Sequence, residues 1–204
     1  MKIIYNLQQE FKYSYQEKRV YSTIENSFLK NTLKAIDFLY ETDSLTIRYK
    51  DEETIKTVDI IDVLIADELN NIKIIQGTKN SYNPNTNTVT FFDTHGIVFR
   101  KNHKKRWFTK NRGYNSPVSL LSHELIHCYN ELYETEDYHE RKKDFRSKGR
   151  KIDNDGKDLS YPNKEEQFVI RMTNQVAKRL KEDKRTNYGR SYYEVEDVLS
   201  IKKK

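Results

Sequence analysis

One cysteine, Cys128, in 204 residues leaves no intrachain disulfide to staple the fold, which must be held by burial and hydrogen bonds. Three prolines and six glycines are too few for a collagen-like or Pro/Gly-rich low-complexity chain. Long apolar runs are missing as well. The most apolar stretch, Val58 to Leu69, is broken by Asp59, Asp62 and Asp67, well short of the roughly 18 apolar residues of a membrane-spanning helix. Met1 to Glu10 has no apolar block of signal-peptide length, so neither a classical export signal nor a membrane segment is expected. Hydrophobic residues make up only 35% of the chain and charged residues 33%. The 15 tyrosines offset that shortage, because their rings bury area while the hydroxyls stay wet. A single domain over residues 1–204 is expected, of which 1–75 carry no motif and 76–204 carry the function.

Charge is mixed, with a net of +6. Basic runs occur at Arg100 to Arg106, Arg141 to Lys151 and Lys202 to Lys204, and acids at Glu134 to Asp137 and Glu140 sit beside the middle one. Such runs can bind phosphate backbones, but solvated loops are the plainer reading. The expectation is solvated loops and tails without nucleic-acid binding, and a preference for acidic partners is the minor alternative.

The pentapeptide His123-Glu124-Leu125-Ile126-His127 carries the chemistry. Asn115-Ser116-Pro117 supplies a cap and a proline at the first helical position. Val118, Leu121, Leu125, Cys128 and Leu132 recur at helical spacing, which predicts a helix from about Pro117 to about Tyr133 and makes Cys128 a small core residue. His123 and His127 then project from one side. Two imidazoles so placed can reach one Zn²⁺ at roughly 2.0–2.1 Å, with Glu124 beside the ion to take a proton from an activated water.

A catalytic site needs a third protein ligand. Six residues beyond His127 the chain has Tyr133, so the metzincin pattern fails, and His139, in an acid-rich segment, reads as solvent-exposed. Pro162 to Glu166 opens a second helix bearing Phe168, Val169, Met172, Val176 and Leu180 on one face. Glu165 or Glu166 is the expected ligand, with Glu166 preferred; both also suit the helix dipole, and Glu166 could close a capping box with Asn163.

Elsewhere the pattern predicts a helix from about Ser22 to about Tyr40 and strands at Leu45 to Tyr49, Ile72 to Ile75, Thr88 to Phe92 and Ile97 to Phe99. Asn83 to Asn87 is a turn cluster. The polar stretch from about Asp137 to Leu159 reads as a mobile connection. Asn87 to Phe92 is the candidate edge strand for a peptide substrate.

Tyr82 to Val89, Ser116 to His127, and Glu165 to Tyr188 with its paired acid, Asn174, Arg185 and Tyr188 together resemble the NleD-like type III secretion effector metallopeptidases, a gluzincin-type group. The resemblance spans about half the chain. It implies an α+β, zincin-like fold, in which a small mixed sheet packs against the zinc helix and a second helix with the third ligand. It implies a zinc-dependent endopeptidase using His123, His127 and Glu166 as ligands and Glu124 as base. Tyr188, with Arg185 near it in sequence, would hold the oxyanion. The implied role is that of an effector or toxin, secreted by a non-classical route, that cleaves a host protein such as a signalling kinase inside a target cell, acting as a monomer. The alternatives are a zinc hydrolase of another amide or ester, and a basic binding module with incidental histidines.

Overall fold

The computed structural model describes residues 1–6, 8–51, 54–102, 111–145, 152 and 158–204. In chain order the elements are β1 (Lys2–Tyr5), β2 (Gln9–Lys12), α1 (Ser27–Glu41), β3 (Thr46–Asp51), β4 (Thr54–Asp59), α2 (Ile60–Ala66), β5 (Lys73–Gln76), β6 (Ser81–Asn83) and β7 (Thr88–Phe91). After them come β8 (His95–Arg100), β9 (Arg112–Asn115), α3 (Pro117–Tyr133), α4 (Thr135–Lys143), α5 (Lys164–Arg179) and β10 (Ser191–Glu194). The described residues thus form a mixed α+β fold with five α-helices and three sheets. None of these helices is long and apolar enough to cross a membrane.

The main sheet has the order β2-β1-β5-β7-β6, with β1, β5 and β7 parallel and the two edges antiparallel. Its register aligns Ile3 with Ile74 and Ile74 with Val89, and all three are fully buried. This row faces the helices, as the two-residue period of a strand requires. The opposite face carries Lys73, Thr88 and Thr90 and stays partly open. One core runs from Met1 to Val198 and includes residues on both sides of position 75. The motif-free N-terminal stretch therefore supplies β1 to β4, most of β5, and both α1 and α2 to the scaffold that supports α3.

Helix boundaries follow the caps. The expected start near Ser22 is corrected: Tyr21–Thr23 make a 3-10 turn, and α1 begins after Asn26, whose side chain accepts the Leu29 N–H at 2.8 Å. Asn87, at φ 47°, closes the turn between β6 and β7 in the left-handed region that asparagine tolerates. The expected edge strand is corrected too. β7 lies inside the sheet between β5 and β6, so Asn87 to Phe92 has no free edge, and β6 is the border strand. The expected mobile connection is partly helical, since α4 occupies its first residues with Tyr138 buried; residues 146–151 and 153–157, including Gly149 and Asn154 to Gly156, lie outside the described residues.

A second sheet, β10-β8-β9, is antiparallel. Phe99 pairs with Gly113, and a Cβ there would sit 2.5 Å from the Phe99 ring, so only glycine lets that ring lie flat against β9. β9 runs directly into α3, and β10 follows the segment after α5, so this small sheet ties both ends of the site together.

Candidate metal centre

α3 starts where Ser116 accepts the Ser119 N–H, with Pro117 at the first position. Glu182 reinforces that start: its carboxylate accepts from the Ser116 N–H at 3.1 Å, the Ser119 hydroxyl at 2.7 Å and the Asn115 amide at 3.2 Å, and from the Ser116 hydroxyl. A carboxylate at a helix N-terminus also suits the dipole. Every residue of α3 from Pro117 to Asn130 is buried, so the helix passes through the molecule and carries its polar triad inside. α5 starts at Asn163, whose side chain accepts the Glu166 N–H at 2.9 Å. Only this half of the capping box forms, because the Glu166 carboxylate turns to the histidines.

Glu166 Oε2 lies 3.3 Å from His123 Nε2, and Glu166 Oε1 lies 3.4 Å from His127 Nε2. The two imidazoles meet edge-on at 4.8 Å between ring centroids. One ligand atom from each of His123, His127 and Glu166 falls within 4.8 Å of the others, and this group could hold a metal ion. His127 Nε2 is buried without a hydrogen-bond partner, and with its Nδ1–H given to Glu165 it leaves a lone pair that a bound cation would take up.

The outer contacts orient both rings. Thr173 donates its hydroxyl to Val169 O at 2.9 Å, so it receives the His123 Nδ1–H at 3.3 Å and leaves Nε2 facing Glu166. Glu165 Oε1 accepts from His127 Nδ1 at 3.2 Å and from Asn130 Nδ2 at 2.9 Å. Its other oxygen takes Arg141 Nε at 2.5 Å, and the Arg141 guanidinium stacks 4.2 Å from the Phe168 ring centroid. The paired acid thus divides its work: Glu166 faces the open side of both histidines, and Glu165 holds one of them from behind.

Charges inside this group are strongly coupled. Burial lowers the His123 pKa to about 4. Burial also opposes charge on His127, but the adjacent Glu165 and Glu166 carboxylates overrule it and lift the pKa to about 10. Glu166 is burdened by burial as well, yet the two histidines hold it well below the usual carboxylate range. Burial raises Glu124 to about 7, an effect His127 partly offsets.

A cleft of about 110 Å³ opens over the triad. It is lined by Asn80, Ser81 and Tyr82 of the β6 border, by Glu124, by Tyr138 and Lys142 of α4, and by Tyr188 and Arg190. Asn174 on α5 clamps the segment bearing Tyr188, exchanging two 2.8 Å hydrogen bonds with the Arg185 backbone. Arg185 is itself buried and donates to Tyr188 O at 3.3 Å; it supports the segment rather than lining the cleft. Tyr188 N–H donates to Leu159 O at 2.9 Å.

His139 is exposed on α4, Cys128 is fully buried in the core, and neither joins the cluster. Reading the sequence did not find Thr173, Asn130, Arg141, Lys142 or Arg190. Thr173 had a signal, since it lies seven residues after Glu166 on the same helix face; Arg141 had none. No family model matches the chain, and no curated protein or solved structure matches it either.

Proposed function

We propose that the chain is a zinc-dependent endopeptidase of the gluzincin type with a zincin-like arrangement of sheet and helices. The observation that carries this reading is the convergence of His123, His127 and Glu166 under a cleft that also holds Glu124. Two imidazoles and one carboxylate favour zinc over magnesium or calcium, which prefer oxygen ligands throughout. Bound there, the ion would supply Lewis acidity toward a water and the scissile carbonyl.

The remaining work belongs to side chains. Glu124, with its pKa raised to about 7, accepts a proton from the attacking water as the oxygen bonds to the carbonyl carbon. It returns that proton to the departing amine as the C–N bond breaks. Tyr188 lines the cleft, and its phenolic hydroxyl is the donor to the oxyanion. β6, which among the described residues pairs on one side only, offers its outer edge to an extended peptide. Action as a secreted effector or toxin on a host protein belongs to the same proposal and rests on the resemblance of Tyr82 to Val89, Ser116 to His127 and Glu165 to Tyr188.

The test is to measure zinc in the purified protein and then map new protein N-termini after it is mixed with a cell lysate. About one zinc per chain and discrete new termini that a chelator abolishes are expected. Full zinc with no new termini rejects the peptidase.

A further inference from the structure

Two cations in the cleft have no part in the hydrolysis described above. Arg190 and Lys142 both line it, one from the segment before β10 and the other from the last turn of α4. Each lies against a tyrosine that also lines the cleft: the Arg190 guanidinium is 4.8 Å from the Tyr188 ring centroid, and Lys142 Nζ is 5.5 Å from that of Tyr138. Among the described residues neither is within ion-pair distance of a carboxylate. Neighbouring cations are committed, Arg141 to Glu165 and Lys164 to Asp144. A guanidinium packed against an aromatic ring still has a fork of donors that can receive a carboxylate in bidentate fashion.

We propose that Arg190 and Lys142 form a carboxylate-binding subsite, so that the cleft selects peptides carrying an acidic group beside the bond to be cut. The inference rests on the peptidase reading and deepens it by naming the substrate class. The net charge of +6 works in the same direction by steering acidic chains toward the molecule. The carboxylate has two sources, an Asp or Glu side chain within the peptide or the peptide's own C-terminus.

The test uses zinc-loaded Glu124→Gln protein, which holds peptides without cutting them, and fluorescence anisotropy with four fluorescein-labelled peptide pools. The pools carry Asp or Asn at the central position, each with a free or an amidated C-terminus. Pools with the recognised carboxylate should bind about tenfold more tightly, with the margin shrinking as salt is raised. Adding Arg190→Gln or Lys142→Gln should reduce the margin, and adding both should bring it close to unity. A margin between Asp and Asn that survives amidation assigns a side chain, whereas one that depends only on the free terminus assigns the chain end. Equal binding of all four pools, or a margin that survives both substitutions, overturns the proposal. Incubating wild-type protein with the same pools separates the two readings: cleavage without preference rejects the subsite alone, and preference without cleavage rejects the peptidase alone.

Discussion

Replacing Glu165 with glutamine removes a charge from behind the candidate metal centre while leaving the volume nearly unchanged. The side chain is fully buried and serves three donors, on His127, Asn130 and Arg141. A glutamine can turn its carbonyl oxygen toward His127 and Asn130, but its amide then points a donor at the Arg141 guanidinium. Breaking a buried ion pair from one side costs about 3–5 kcal/mol. Arg141 is 17% exposed and has Asp137 at 3.8 Å as a second acid, so the loss should fall at the low end of that range, about 3 kcal/mol. Zinc affinity should drop about tenfold, the smaller end of the effect of an outer-shell partner, because the His127 contact survives. Glu166→Gln, which removes a proposed ligand, should weaken zinc by at least a further ~10²-fold. Thermal melts with and without zinc, combined with chelator competition, measure both effects. Adding Arg141→Met to Glu165→Gln should recover much of the lost stability, since the stranded charge is then gone. Wild-type melting and zinc affinity in Glu165→Gln would refute this division of roles, and a greater zinc loss than in Glu166→Gln would move the ligand by one residue.

Two further substitutions test the supports of the site. Glu182→Gln should destabilise the protein by about 1–3 kcal/mol in a chemical denaturation curve, because the carboxylate closes the α3 N-terminus; an unshifted midpoint would show that Ser116 alone suffices. Tyr188→Phe should keep its zinc and lose roughly 10–10³-fold in turnover if the hydroxyl serves the oxyanion, while an unchanged rate returns the ring to packing.

α3 and α5 were legible because their start signals and apolar stripes agree: Ser116 and Pro117 precede one, and Asn163 precedes the other. The choice between Glu165 and Glu166 was not. Adjacent helical residues differ by only about 100° in direction, and what separates them is the position of α3 and of Arg141, both tertiary. α4 escaped notice because only Tyr138 of its nine residues is buried, which leaves no stripe to read. Its acids in the first turn and bases in the last were the available signal. β6 was hidden by its three-residue length, and the neighbouring β7, with the clearer alternation, drew the edge assignment. The pairing of Ile3 with Ile74 joins residues far apart in the chain, and parallel pairing of that kind leaves no local turn signature. Lys142 and Arg190 meet in the cleft only because α4 and the segment before β10 both pack around the triad.

The most direct test of the central claim is Glu124→Gln, with zinc content and cleavage measured on one preparation. A structural zinc site needs no base, whereas a hydrolytic one does. The account predicts an unchanged melting curve and about one zinc per chain, because no ligand is altered, with cleavage of a confirmed protein substrate falling by at least roughly 10²-fold. Full zinc together with wild-type cleavage in Glu124→Gln would contradict it.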